Sequence, residues 1–225
     1  MYPHLEARQR ISGYISMTTK KKILIGVVIA AAAVVIIRVI ATIGLIGVLF
    51  AGSITSKPEV YDQIDHYTEY MSFSNDNADS IWNKWGMDES IWPRKINDVS
   101  NVIDYKMVYY NPWDAQYLGY LVIDYTDGDY AAEAARLKEY SSTDYIGYYS
   151  VVEEKTYELM AVNADKYNGF VYALTDGNNR IIYAEEIFCN YYMDLDYTEY
   201  IPKEYLLDGF DATADNPYRK KMMNE

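Results

Sequence analysis

The sequence predicts an α+β fold in which one N-terminal transmembrane helix precedes a mostly antiparallel sheet of about four to six strands with packed helices. Three observations carry this prediction. One long apolar run lies near the start of the chain, helical patterns flank the later part, and several runs rich in Val, Ile and Tyr follow one another with turns between them. Helices accompanied by runs of neighbouring strands are typical of α+β domains.

The apolar run covers residues 23–50 and has Arg38 as its single charge. About 20 apolar residues, each rising about 1.5 Å, suffice for a hydrocarbon core of roughly 30 Å. The run is about twice as long as the apolar region of a cleaved signal peptide, which favours an uncleaved anchor over cleavage near Ser53. Arg38 can snorkel to the outer boundary or pair with a partner. The small residues Gly26 and Ala30 hint at a weak homodimer through this helix.

Charge is distributed unevenly on the two sides of the run. Residues 1–22 hold five basic residues and one acid, and three of the basic residues directly precede the run, namely Lys20, Lys21 and Lys22. From Lys57 onward there are 14 basic and 32 acidic residues. The positive-inside rule therefore predicts a single-pass protein of the cell membrane, with the N-terminus inside and the C-terminal domain outside. Translation from Met17 would leave a short basic tail before the anchor.

Composition divides the chain into five segments. They are a cytoplasmic basic tail (1–22), a transmembrane helix (23–50), a linker (51–57), an extracytoplasmic α+β domain (58–213) and a flexible C-terminal tail (214–225). The fourth segment is long enough to bury its own core. Its acidity argues against nucleic-acid binding through a basic surface, and an aromatic content of 16% argues against disorder.

Helices are predicted first along the domain. Ser56 and Glu59 fit a capping box, which predicts a helix over 58–71. Asn77 can cap a shorter helix that ends at Gly86. A third helix is expected from Asp127 to Tyr140, and a last short one begins at Pro202, with Phe210 packing on Tyr205.

The strand predictions rest on Val, Ile and Tyr content. Runs 102–110 and 117–125 form a hairpin whose loop is 111–114, because Pro112 lacks a ladder donor. Four further strands are expected, at 145–152, 157–163, 170–175 and 180–191.

No sequence motif supplies a cofactor or metal site, so none is predicted. The single cysteine, Cys189, cannot form an internal disulfide, and with two histidines it cannot complete a zinc framework. It lies on the apolar face of an alternating strand, which favours a buried structural cysteine over a dyad with His66. The acidic clusters 124–129 and 194–196 lack the spacing of a calcium loop, and helix capping explains the first.

The candidate binding surface consists of Trp113, Tyr109 and Tyr110. Loop 111–114 carries Trp113 at a hairpin tip, where it can cap the core or remain exposed as an anchor for a partner. We favour core capping, because exposed tryptophan is uncommon and the two tyrosines offer a surface to pack on.

Several segments carry a resemblance. Asn111-Pro112-Trp113-Asp114 leads into Tyr120-Leu121-Val122, and 173–176, 188–194 and 209–213 follow. Across 91–213 the chain resembles uncharacterised single-anchor extracytoplasmic proteins of Clostridia-type Gram-positive bacteria. The resemblance implies an outward-facing domain on a cell without an outer membrane, and it implies no activity and no site residues.

These observations predict a membrane-tethered extracytoplasmic binding domain with no evident catalytic motif, which recognises a protein or cell-wall partner. The alternative is a cell-surface hydrolase that works through carboxylates, so whether the protein is an enzyme stays open, with a non-enzyme favoured. A concave pocket that holds two acids with shifted pKa values favours the hydrolase. A flat aromatic patch favours the binding domain.

Overall fold

A computed structural model describes residues 19–74, 80–140, 145–153 and 156–224, and the chain divides into two compact units after Gly52. The first unit is built on helix α1 (Thr19–Thr55). Within α1, Ile23–Ala51 is long and apolar enough to cross a membrane, and its side chains are exposed. The lysines of the basic cluster lie in the first turn of α1, and the Arg38 carbonyl accepts a hydrogen bond from the Thr42 hydroxyl at 2.9 Å.

The second unit is organised around a six-stranded antiparallel sheet in the order β1-β2-β3-β6-β5-β4. The central strands β3, β6 and β5 are buried along nearly their whole length. The predicted α+β class and antiparallel sheet are therefore confirmed. The strands are β1 (Glu59–Tyr61), β2 (Val102–Tyr110), β3 (Gln116–Asp124), β4 (Glu158–Asp165), β5 (Gly169–Thr175) and β6 (Arg180–Ile187).

Both faces of the sheet are covered, and neighbouring residues of β6 define them. Side chains alternate along a strand, so Glu185 points to one face and Glu186 to the other. The Glu185 face packs against segments 61–74 and 80–96 and helix α2 (Asp127–Leu137). The Glu186 face packs against segments 145–151 and 193–212, and helix α3 (Pro217–Met223) adjoins it through Tyr218. Each face has its own cluster of buried apolar residues.

We call the end of the sheet that carries the β2–β3 turn (111–115) the hairpin end, and the opposite end the far end. The β4–β5 turn (166–168) and the residues that follow β6 also lie at the hairpin end. At the far end, β3 stops at Asp124 and β6 begins at Arg180, and this pair is joined by a two-pronged ion pair at 2.7 and 2.8 Å.

The helix predicted over 58–71 is wrong in its first half. Glu59–Tyr61 is strand β1, in which Glu59 lies opposite Tyr109 of β2, and a 3₁₀ helix follows over Ile64–Tyr70. The Ser56 hydroxyl does not form the expected cap, because it donates to the Asn111 carbonyl at 2.9 Å. Pairing with the edge of strand β2 is therefore favoured over the helix that the local capping pattern predicts.

The next helix is shorter and more strained than its pattern predicts. Asn77 lies outside the described residues, and Ser80 caps a 3₁₀ segment over Ile81–Gly86 by accepting a hydrogen bond from the Trp82 amide. Lys84 and Trp85 adopt left-handed backbone conformations with φ of 49° and 57°. Such conformations are costly for side chains with a Cβ, so tertiary contacts must hold this turn.

Three further predictions are wrong near the C-terminal half. Segment 145–152 is an irregular cover with a 3₁₀ turn at Tyr148–Ser150, and β6 ends at Ile187 because Asn190 and Tyr191 have positive φ. Residues 217–223 form α3 instead of a flexible tail. Its N-cap Asn216 is fully buried, and Tyr218 packs on the Tyr148 ring.

The packing expected between Phe210 and Tyr205 is also wrong. Phe210 makes edge contacts with Phe170 and Tyr197, whereas Tyr205 lies against Tyr120. Four predicted strands and the helix from Asp127 are confirmed. The strand at 102–110 matches at both ends, and the helix and the strands at 117–125, 157–163 and 170–175 differ by at most three residues at an end.

Candidate binding groove and buried charges

A lysine and two glutamates form an ion cluster inside the Glu185 face. The Lys84 ammonium contacts the carboxylates of Glu89 and Glu185, the latter at 2.6 Å, and all three side chains are fully buried. The left-handed turn at Lys84 directs its side chain into the core, where Met107 also lies within 3.9 Å of the ammonium. A fully buried charge is tolerated only with partners, which the two carboxyl groups provide.

One positive charge facing two carboxyl groups requires one proton on the carboxyls for neutrality. Burial raises the pKa of Glu185 well above its ordinary range, and the Glu89 charge raises it further against the opposing Lys84. Glu89 accepts a hydrogen bond from the Ser72 amide at 2.5 Å in addition to its contact with the ammonium. Burial lowers the pKa of Lys84, but the two carboxyl groups outweigh it and leave that pKa raised.

Glu186 is equally buried on the opposite face but has no cation near it among the described residues. Burial raises the pKa of Glu186 to about 8. The Tyr172 hydroxyl lies 2.8 Å from a Glu186 oxygen and 2.7 Å from the Tyr205 carbonyl, yet it has a single proton. A protonated Glu186 satisfies both contacts, because it donates to the hydroxyl while the hydroxyl donates to the carbonyl.

A groove lies beside α2, on the Glu185 face toward the far end of the sheet. It consists of two adjoining pockets of about 350 and 430 Å³ between segment 93–101 and α2. The residues shared by the two pockets are Pro93, Lys95, Asn97, Glu133 and Arg136. Asn101, Tyr125 and Asp129 line one of them, so the groove presents amides, a phenol and charges of both signs.

Arg136 makes the wall of the groove rigid. Its guanidinium makes a two-pronged contact with Glu133 at 2.8 and 2.6 Å and donates to the carbonyls of Ser90 and Ile91 at 2.7 and 2.6 Å. The Tyr183 hydroxyl donates to Glu133 at 2.6 Å from the core. Residues Ser90 and Ile91, which precede the groove in the chain, are thereby fixed to α2. A wall that is already formed reduces the entropic cost of binding a ligand.

Three acids line the groove, Asp98, Asp129 and Glu133, but the carboxyl groups whose pKa values are raised lie elsewhere. Glu185 and Glu186, whose pKa values are raised, are inaccessible and point to opposite faces of the sheet. Both oxygens of Glu133 accept hydrogen bonds from Arg136, and one of them also accepts the Tyr183 hydroxyl, so this carboxylate is held in the wall of the groove.

The three predicted surface residues are not brought together as one patch. Trp113 is 55% exposed, so the favoured core-capping fate is wrong. Tyr109 packs on Trp82 and Tyr117 in the Glu185-face cluster. Tyr110, one residue along β2, packs against the other cluster because successive strand residues point to opposite faces.

The cysteine, the histidine and the acidic clusters considered from the sequence have structural or surface positions. Cys189 is buried, and burial raises its pKa to about 12, so it is an unreactive thiol. His66 pairs on the surface with Glu69 at 2.8 Å. In the acidic clusters, Asp129 bonds with the capping Thr126 and Asp196 caps Thr198, and the described residues contain no group of three potential metal ligands.

Comparison of the chain with protein-family models, with curated proteins and with solved structures found no match. The resemblance to single-anchor proteins therefore stays an expectation, and the function has to be argued from the residues of this chain.

Neither the buried charges nor the groove is predicted by the sequence patterns. One signal was available, since Glu185 and Glu186 interrupt an otherwise apolar strand between Ala184 and Ile187. Charged residues inside such a run indicate buried partners. No sequence signal linked them to Lys84, which lies 101 positions away from Glu185.

Proposed function

We propose that the protein is a single-pass membrane protein whose extracytoplasmic domain binds a polar protein segment or cell-wall peptide in the groove beside α2. The observation that carries this proposal is the groove itself. It is a concave site with a wall fixed by Arg136, and its lining offers Lys95, Asn97 and Asp129 to a ligand with amide groups and both signs of charge. Few, fixed polar groups in a concave site are typical of ligand recognition.

The topology within the proposal is supported by charge. The basic cluster at Lys20–Lys22 precedes the apolar stretch Ile23–Ala51, and the acidic domain follows it. This asymmetry favours the N-terminus in the cytoplasm and the domain outside, on the cell membrane. The weak homodimer through small residues of α1 rests on spacing alone.

Binding can be tested by placing a photo-crosslinking amino acid at Asn97 in the full chain, in intact cells. Asn97 is exposed and lines the groove. We expect defined crosslinked adducts, identified by mass spectrometry as a protein segment or a cell-wall peptide. The matched control carries the same group at Thr198, an exposed residue on the Glu186 face. Equal adducts at both positions, or none at Asn97, would reject the groove as the binding site.

A second experiment separates binding from hydrolysis. The full chain in detergent is incubated with soluble cell-wall fragments, and the products are separated by mass. We expect bound, uncut fragments, and replacement of Lys95 by Glu should weaken their retention without any change in product mass. Cleavage that is abolished by Asp129→Asn would instead establish the carboxylate hydrolase.

Topology is tested by adding protease to wall-stripped intact cells that express the chain with an N-terminal tag. Loss of the domain with survival of the tag is expected. Protection of the domain would contradict the proposed orientation, and release of intact domain into the medium would show cleavage near Ser53.

A further inference from the structure

The exposed aromatic residues of the domain are concentrated in one place. Among the described residues after Gly52, strongly exposed aromatic side chains occur at three positions, Trp85 (44%), Trp113 (55%) and Tyr167 (40%). All three lie at the hairpin end of the sheet. Because the many other aromatic rings are buried or half-buried, this concentration is a property of that end and does not reflect general aromatic richness.

Hydrogen bonds join the three positions into one surface. The Trp85 indole donates to the Ala115 carbonyl in the β2–β3 turn at 2.7 Å. The Asn190 amide donates to Asp114 of the same turn at 3.0 Å, and the Tyr167 hydroxyl donates to the Asn190 oxygen at 2.7 Å. The surface is therefore built from four separate segments of chain, at Trp85, the β2–β3 turn, Tyr167 and Asn190, that hydrogen bonds hold together.

Only a short stretch of chain separates this surface from the apolar span. The Ser56 hydroxyl donates to the carbonyl of Asn111 in the β2–β3 turn at 2.9 Å. Ser56 follows Ala51, the last residue of the span, by only five positions. Residues 52–55 belong to helix α1, so these five positions span about 7.5 Å at about 1.5 Å per residue, which is comparable to the roughly 5–8 Å of headgroup region on one side of a bilayer.

The chemistry of the surface suits a lipid interface. Tryptophan and tyrosine concentrate at the headgroup level, because their rings are apolar and their N–H and O–H groups need polar partners. Lys57 and Lys166 are exposed at the same end and can extend toward phosphates. One acid of this end, Asp165, is held by uncharged donors, since it accepts the amides of Tyr167 and Asn168 at 2.8 Å.

We infer that the hairpin end is a membrane-contacting surface, in which Trp85, Trp113 and Tyr167 sit among lipid headgroups of the outer leaflet. The inference rests on the proposed anchoring through Ile23–Ala51 and extends it. It makes the far end, with the groove beside α2, the side presented to a ligand in the surrounding wall.

The test uses the full chain reconstituted in phosphatidylcholine vesicles, with a quencher attached to the lipid headgroup. Trp82 and Trp92 are buried, so the quenchable emission should come from Trp85 and Trp113. We expect strong quenching of the wild-type chain, partial loss of that quenching in Trp113→Phe, and nearly complete loss in Trp85→Phe/Trp113→Phe. The single variant keeps the Trp85 hydrogen bond and guards against misfolding of the double variant.

The matched control adds Ile103→Trp to the double variant. Ile103 is 52% exposed at the far end of β2, and the indole introduced there should escape the lipid quencher and respond to iodide in water. If that introduced indole were quenched as strongly as Trp113, or if Trp113 were not quenched in a chain that floats with the vesicles, the membrane-contacting surface alone would be overturned. A chain that fails to float would overturn the proposed anchoring, and this inference with it.

Discussion

The two faces of the sheet bury neighbouring glutamates in different ways. On one face, Glu185 meets Lys84 and Glu89 in a cluster that holds both signs of charge. On the other, Glu186 meets the Tyr172 hydroxyl and no cation among the described residues. A carboxyl group in a core can be accommodated by a counter-charge or by its own proton, and this strand uses both solutions at adjacent positions. We therefore expect the unfolding free energy to fall when the cation of the Glu185 face is removed, and to rise at high pH when Glu186 is replaced by a neutral side chain.

The largest effect is expected from removing the counter-charge. In Lys84→Met, two carboxyl groups stay buried without a cation, which should cost about 3–5 kcal/mol of unfolding free energy at neutral pH. The measurement is urea unfolding of the isolated domain 53–225, which contains both core clusters. The loss should shrink as the pH falls, because protonation removes the unpaired charge.

Lys106→Met is the matched control for this variant. Lys106 is half-buried over the Tyr120 ring, so its loss should cost no more than about 1 kcal/mol. Similar losses for the two lysines would show that the Glu185 face does not depend on a buried counter-charge.

The next effect concerns the protonated face. The pKa of Glu186 is raised from the usual value of about 4.3 to about 8, so between these values the folded domain holds a proton that the unfolded chain has released. This contribution is fully present below the unfolded pKa and is lost as the pH rises through the folded one. It should fall by about 1.4 kcal/mol per pH unit across that window.

The Glu186→Gln variant should abolish this slope. Its amide can donate to Tyr172 as the protonated acid does, so the variant should match the wild-type domain near pH 5 and exceed its stability at pH 8. Glu199→Gln, at an exposed position on the same face, should leave the pH profile unchanged. Parallel profiles of the wild type and Glu186→Gln would mean that Glu186 is ionised in the core.

A smaller effect is expected at the end of β6, outside both core clusters. Cys189→Ala removes one buried sulfur and should cost about 1–2 kcal/mol, as small core truncations do. The domain should unfold at the same urea concentration with and without EDTA. A shift of the midpoint by EDTA would reveal a metal ion that holds one of the faces.

The smallest effect on stability is expected at the hairpin end. Because Trp113 is largely exposed, Trp113→Ala should change the unfolding free energy of domain 53–225 by no more than about 0.5 kcal/mol. Trp92→Ala, at a fully buried residue of the Glu185 face, should cost about 3–5 kcal/mol. Comparable losses in the two variants would mean that Trp113 supports the core after all.

Local patterns predicted the parts of this protein that depend on neighbours in sequence. The apolar stretch of α1 follows from length and composition, β2 and β3 follow from their Val, Ile and Tyr content, and α2 follows from the helix-start signal at 127–129. Local patterns gave the wrong structure for Glu59–Tyr61, which is a strand because it pairs with β2. They also gave the wrong structure for 145–152, where an apolar run covers the sheet without joining it.

The sequence by itself determined one long apolar helix, an acidic α+β domain and the absence of a familiar catalytic motif. Tertiary structure alone decided the rest. It directed Lys84 through a left-handed turn to Glu185, placed Glu186 against Tyr172, set Arg136 across to Ile91 beside the groove, and left Trp113 on the surface. These outcomes depend on long-range contacts whose energies outweigh local preferences, and such contacts leave no spacing in the chain from which they could be predicted.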